Sequence, residues 1–308
     1  MADVETFLIE VYVMVDDDLG AQAPAPNRPG PAPRLSPSET VTLAVCSQLQ
    51  RFRSGRDVSR FAEARLRPLF PALPHRTQWL RQVHRWWPVI AGFAVRLGAR
   101  LAGDAPFEVV DCTAMPTRNV KRRGPGWLPG EMDVGYRNRL GIYEGAHVLT
   151  CVGPTGVLTG FGMGPASTND RPLAETLVAQ RAARAPALVS AGRSTSGTYL
   201  SDQGFGGRDC ERRFAERYRA MLVCPPQPDR RTRVWPKPLR KWLIGHRQIV
   251  ESVHANLVLT TRLATNRPHT LPGALLNLAA IAALHNACVA LNRRHGRPDL
   301  ATAEVIGW

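Results

Sequence analysis

After Gly103 the chain changes its hydrophobic period, and that change constrains the fold more than any other feature. Short runs of β-branched and bulky apolar residues, punctuated by Gly and Pro, occupy 107–111, 146–152, 157–163, 198–202 and 220–224. Helical spacing intervenes near 171–184, 208–218, 239–259 and 273–294. Strands and helices mixed in this way predict an α/β layer architecture, a sheet with helices packed on its faces. No internal repeat is visible at any fixed period, which argues against a repeat architecture.

The first hundred residues read as helical. "LSPSETVTLAVCSQL" opens with Ser36 as N-cap, Pro37 at the first helical position and Glu39 three after the cap, a capping box. Further helical patterns cover 57–66 and 76–100, the latter split by Pro88, and eleven arginines lie between Arg51 and Arg100. The stretch 21–34 is rich in proline, has no apolar period and reads as an extended linker. The expected organisation is a helical, basic region over 1–102, with the linker at 21–34, followed by an α/β domain over 103–308. Asp16, Asp17 and Asp18 are consecutive, so their side chains diverge by about 100° each on a helix and read as a solvated acidic run.

Charge narrows the partner. A formal net charge of +15 and a sequence pI near 10.7 favour a polyanion, nucleic acid ahead of membrane. Nearly all the basic residues are arginine, the lysines being Lys121, Lys237 and Lys241, so a GC-rich genome and phosphate binding push composition the same way. The six cysteines are scattered without a CxxC pair, which argues against a zinc site or disulfide framework. The first 20 residues carry six acids and no base, unlike a signal peptide, and the apolar stretch 272–291 is broken by Asn277, His285 and Asn286, as in a buried helix. A cytoplasmic protein without a membrane partner is expected.

Three carboxylates stand out. In "FEVVDCTAMP", alternation puts Val109 and Asp111 on one face of a strand and Glu108, Val110 and Cys112 on the other, with Asp111 at the strand end. On that register Cys112 is a buried structural residue, neither nucleophile nor ligand. In "TYLSDQGFGG", Asp202 follows a short apolar run and precedes glycines. Either aspartate alone reads equally well as a turn or capping residue. Residues 243–257 project as a helix with Ile249, Val253 and Leu257 as its apolar back and Glu251 opposite, beside Arg247, Gln248, His254 and Ala255. Arg247 and Glu251 alone would make a plain i,i+4 ion pair. Taken together, three carboxylates from two strand ends and a helix are what two hard divalent cations need, magnesium or manganese. Two such ions about 3.5 to 4 Å apart serve both attacking and leaving oxygens in phosphodiester chemistry.

The chain resembles the DDE transposases of bacterial insertion sequences, most closely the insertion sequence 982 group. The resemblance spans nearly the whole length through "VYVMVDDDL", "LSPSETVTLAV", "LFPALPHRTQW", "VVDCTAMP", "GIYEGAHVLTCVGPTGVLTGFGMGPASTNDRPLAETL", "YLSDQGFGG" and "HRQIVESVHANL", in that order. It implies an RNase H-like mixed-sheet catalytic core with a helical N-terminal DNA-binding region. Asp111, Asp202 and Glu251 take the positions of the metal-holding triad, with two Mg2+ or Mn2+ ions. The implied partner is double-stranded DNA, as transposon terminal inverted repeats and target; the oligomeric state stays open, with a homodimer as one option. The implied reaction is hydrolysis at transposon ends followed by attack of the freed 3′-hydroxyl on target DNA. Three positions depart from the family: Ile244 stands where a Tyr is common, Val258 where a Lys is common, and Glu144 where a base is common. Two rivals remain open: a metal-dependent nuclease of the same fold without strand transfer, and a non-catalytic DNA-binding protein derived from a transposase.

Other residues admit plain readings. Lys121, Arg122 and Arg123, with Arg118, form a basic loop that is either solvated or a phosphate grip, and Arg247 and His254 are expected to contact nucleic acid beside Glu251. Asp170 reads as an N-cap, Glu175 as compensation of a helix dipole, and His147 as a packed strand histidine. Trp127, Trp235 and Trp242 read as packing residues, with base stacking as the rival.

Overall fold

The structure, a computed structural model, describes residues 3–20, 33–118, 121, 128–138, 140–184, 197–226 and 235–306. The chain forms two compact units, Met1–Leu101 with Asn256–Trp308, and Ala102–Ala255.

The first unit is helical: α1 (Val4–Gly20), α2 (Pro37–Cys46), α3 (Gly55–Arg65), α4 (Arg76–Arg85) and α5 (Trp87–Ala102). Ser36 caps α2 as the sequence requires, its Oγ accepting from the Glu39 N–H at 3.1 Å while the Glu39 carboxylate accepts from the Ser36 N–H at 2.6 Å. Pro88 is the second residue of α5, where its missing N–H costs nothing, and the chain breaks from α4 just before it. The C-terminal helix (Leu271–Arg294) is apolar on all sides and buried along most of its length. It is long and apolar enough to cross a membrane, yet it packs against α1, α2 and α4 as the core of this unit. The division expected from sequence placed 256–308 with the α/β domain. Burial of this helix among the N-terminal helices is what joins that segment to the first unit.

Asp18 departs from the acidic-run reading. Its side chain is 1% exposed, and its two oxygens lie 2.7 Å from Arg96 and 2.7 Å from Arg100, one turn apart on α5. Asp16 accepts from the Ser38 hydroxyl at 2.6 Å, and Asp17 faces solvent. Burial pushes the Asp18 pKa up, but the hydrogen bonds and charges of Arg96 and Arg100 outweigh it and leave the pKa below the ordinary carboxylate value. A depressed folded pKa stabilises above the unfolded value, and that stability is lost as pH falls through the folded value. Asp18→Asn is therefore expected to cost about 2 to 4 kcal/mol at pH 7, and the difference should shrink below about pH 4. Urea unfolding of both proteins at the two pH values checks this.

The second unit carries one sheet: β1 (Glu108–Arg118), β2 (Asp133–Arg137), β3 (Gly141–Val152), β4 (Leu158–Pro165), β5 (Thr198–Leu200) and β6 (Met221–Val223). Its order is β2-β3-β1-β5-β6, with β4 also on β3. β3 gives Gly141–Gly145 to β2 and Ala146–Val152 to β4. β4, β3 and β1 are mutually antiparallel, whereas β1, β5 and β6 are parallel. Parallel neighbours need crossovers, and helices supply them: α6 (Asp170–Arg184) lies between β4 and β5, and α7 (Arg208–Tyr218) between β5 and β6. The order β4-β3-β1-β5-β6, with three antiparallel strands and then two parallel additions, is that of an RNase H-like sheet. A long helix that begins in this unit, α8 (Lys237–Thr260), follows β6, and its residues through Ala255 belong here. Val110, Cys112, Leu149 and Cys151 form the sheet side of a core closed by Ala174 and Val178 of α6 and Phe214 and Tyr218 of α7.

Two strands differ from expectation. β1 continues well past Asp111, because its ladder with β3 runs on to Arg118, so Asp111 lies inside the strand. β2 has no apolar run to announce it; it is an edge strand whose Val134 and Tyr136 face solvent.

Candidate active site

Asp111 nevertheless stands at an opening. β1 pairs with β5 only at Glu108↔Tyr199 and Val109↔Leu200, after which β5 ends. Continuing that parallel register by two residues sets Asp202 beside Asp111 on the same face of the sheet. Asp202 then turns the chain, its Oδ1 accepting from the Gly204 N–H at 2.8 Å. Beyond Val109, therefore, β1 has a ladder partner on its β3 side and faces a notch on the other.

The Asp111 carboxylate is held in this notch. Its Oδ1 accepts from the Cys112 N–H at 2.7 Å, and the Arg247 guanidinium lies 3.6 Å from Oδ2. Burial pushes the Asp111 pKa up to about 6; the Cys112 N–H and the Arg247 and Arg137 charges oppose that rise, while the neighbouring Asp202 charge adds to it. Two carboxylates thus converge where one of them already resists ionisation. A divalent cation would relieve this situation, and carboxylate oxygens suit hard cations.

Helix α8 crosses the same face. Thr150 sits opposite Asp111 in the β1–β3 ladder, its Oγ1 lies 3.3 Å from the Asp111 carbonyl, and His254 Nε2 lies 2.8 Å from that Oγ1. Arg247 and His254 therefore fasten α8 on either side of Asp111. Glu251, four residues after one and three before the other, shares their face and is exposed. The apolar back differs from the projection made on the sequence. The buried positions are Leu243, Val250, Val253 and Leu257, with Ile249 only half-buried, so Glu251 flanks the buried stripe instead of lying opposite it. Packing of Leu243 and Val250, seven residues apart, sets that rotation. His254, expected at the nucleic acid, is bonded within the unit.

The remaining candidates fall in several places. Lys121 is exposed, and Arg122, Arg123 and Trp127 lie outside the described residues. Arg118 is buried and pairs at 3.5 Å with Glu144, one of the three departures; Ile244 and Val258 are exposed. Trp235 is half-buried, and Trp242 packs its ring 4.5 Å from the His246 ring while staying 42% exposed. Glu175 pairs with Arg213 at 3.1 Å in place of compensating a helix end.

Sequence reasoning missed one cluster entirely. Cys112 is buried on the sheet face opposite Asp111, as alternation requires, but its Sγ meets ligand atoms of His147 and Asp170 within 4.8 Å. Asp170 is the first residue of α6 and pairs with His147 and Arg137, while Asn169 supplies the local bond, its Oδ1 accepting from the Arg171 N–H at 3.1 Å. No spacing links residues 112, 147 and 170; the β1–β3 pairing and the placement of α6 bring them together.

No family model matches the chain, and no curated protein matches it. Among solved structures, the chain is similar to a cryo-EM structure of a piggyBac transposase synaptic complex with hairpin DNA, at 11% identity over 98% of this chain and 76% of that one, with a TM-score of 0.47. An overlap of that quality assigns no family by itself, and the functional reading rests on the side chains.

Proposed function

We propose that the protein is a DNA transposase of the insertion sequence 982 type, with Asp111, Asp202 and Glu251 as the residues that hold its metal ions. The observation that supports this is the convergence of Asp111 and Asp202 at the notch between β1 and β5, with Arg247 of α8 beside Asp111. Magnesium or manganese, when bound, would supply charge stabilisation for the attacking and leaving oxygens of a phosphodiester. Asp111, inside a central strand, and Asp202, on the turn after β5, would hold that charge. Arg247 pairs with Asp111 in the DNA-free protein and would meet a phosphate when DNA arrives. Hydrolysis at the transposon end frees a 3′-hydroxyl, which then displaces a second phosphodiester oxygen in target DNA, so each bond broken is matched by one formed.

Recognition of the ends is assigned to the helical unit, where Arg51, Arg53, Arg56, Arg60, Arg65, Arg67, Arg81 and Arg85 all face solvent. Binding of the full chain to double-stranded DNA should weaken with salt at a log-log slope of about −0.9 per phosphate contact, and each contacting Arg→Ala should reduce that slope by about 1. A slope unchanged in every arginine variant would remove these helices from the interface. A 1–102 fragment is a poor substitute for this test, because it lacks the buried C-terminal helix.

Strand transfer separates the reading from its rivals. A pre-cleaved, labelled DNA end taken from the repeats flanking the coding region should be joined to plasmid in magnesium and not in EDTA. Hydrolysis without joining would indicate a nuclease. Binding with neither reaction would indicate a non-catalytic derivative.

A further inference from the structure

The cluster on the sheet face opposite Asp111 is physically tied to the turn that carries Asp202. His147 and Asp170 are in contact through Nε2 and Oδ1, and an Arg137 guanidinium nitrogen lies 3.2 Å from His147 Nδ1 and 3.6 Å from Asp170 Oδ1. His147 is 6% exposed, whereas the Arg137 and Asp170 side chains keep 29% and 22% of their surface, so these contacts hold the Asp170 carboxylate at the margin of bulk water. The adjacent residue, Arg171, donates from Nε to the Gly204 carbonyl at 2.8 Å, and the Gly204 N–H is the group that bonds Asp202 Oδ1. A Cβ on Gly204 would lie 2.9 Å from Asp202 Oδ1 and 3.4 Å from Asp170 Oδ2, so both carboxylates border the same backbone atom.

The Asp202 turn needs such support. β5 is three residues long, and the turn after it contains Gly204, Gly206 and Gly207, so few side chains of its own hold it. A bare Asp170 carboxylate so close would repel Asp202, and pairing with His147 and Arg137 offsets that charge.

We infer that Asp170, held by His147 and Arg137 and acting with Arg171, is a positioning residue that fixes the Asp202 turn from the far face of the sheet. The inference rests on the reading of Asp111 and Asp202 as a metal-holding pair. Cys112, His147 and Asp170 also have the donor types of a zinc site, but Arg137 already places a cationic nitrogen 2.7 Å from His147 Nε2, where a metal would have to bind.

The test is Mn2+ titration calorimetry on the full chain, with DNA cleavage followed against Mn2+ concentration, for wild type, Asp170→Asn, Arg171→Met, Arg171→Lys and Asp111→Asn. Loss of this support for the Asp202 turn should weaken Mn2+ binding about tenfold or more in Asp170→Asn and Arg171→Met. Cleavage at saturating Mn2+ should stay close to wild type, and Arg171→Lys should recover part of the affinity. If Asp170→Asn does not fold, Arg171→Met carries the test alone. Wild-type affinity in Arg171→Met, with binding lost in Asp111→Asn, overturns the inference. Binding that survives Asp111→Asn removes the reading of the carboxylate pair itself, and the inference goes with it. Stoichiometric Zn2+ binding that persists in Asp111→Asn and is lost in both Cys112→Ser and His147→Gln also overturns it, because the cluster would then be a metal site of its own.

Discussion

Asp111→Asn and Asp202→Asn are each expected to lower magnesium-dependent DNA cleavage by about a thousandfold or more, while leaving DNA affinity within a few-fold of wild type. The amide keeps the shape of the carboxylate but not its charge, so it fills the notch without holding a cation. Binding should survive because the phosphate contacts are assigned to arginines elsewhere, and removing a negative charge near DNA does not weaken association. Single-turnover cleavage and filter binding on the same labelled duplex measure both quantities. A wild-type rate in either variant contradicts the assignment.

The same substitution has a stability signature. Because the folded Asp111 pKa is raised to about 6, the folded state binds the extra proton between about pH 4 and pH 6. The stability associated with that proton is present below the unfolded pKa and is lost as pH rises through the folded one. Asp111→Asn should therefore make the protein more stable than wild type at pH 8, by about 1 to 3 kcal/mol, while abolishing cleavage.

The largest purely structural effect is expected at Gly145, where β3 faces Pro116 of β1 on one side and Asp133 of β2 on the other. A Cβ there would lie 2.3 Å from the Met115 carbonyl oxygen, 2.8 Å from the Thr117 nitrogen and 2.9 Å from the Pro116 Cα. All three are backbone atoms in the central strand, so no side chain can swing aside. Gly145→Ala should cost about 3 to 5 kcal/mol, enough to unfold many domains. Gly162→Ala in β4 is the control, because nothing lies within 4 Å of its added methyl group. Urea midpoints should fall sharply for the first and stay within about 1 kcal/mol for the second. Equal effects would mean that the β1–β3 register is misplaced.

How much of this was legible in the sequence depended on how local the cause was. The capping box at Ser36 and the Asp202 turn before its glycines are decided within four residues, and both were readable. The rotation of α8 was not, because Ile249 and Val250 are equally apolar and only burial in the folded chain selects Val250. Asp18 was misread for the same reason: its partners Arg96 and Arg100 lie far along the chain, so an acidic run gave no hint of a buried pair. The setting of Asp111 was read wrongly, because it lies inside β1 and not at its end. The strand does not end there; its β5 neighbour does, and that opens the notch.

Metal-specific rescue of Asp202→Cys tests the central assignment most directly. Thiolate is a poor ligand for magnesium and a tolerable one for manganese, so only a residue that touches the ion should respond to the exchange. The predicted result is a variant inactive in Mg2+ that regains measurable cleavage in Mn2+, with Asp202→Ala inactive in both. Cleavage by Asp202→Cys at the wild-type rate in Mg2+, or no recovery in Mn2+ while DNA binding stays intact, would contradict a metal-holding role for Asp202.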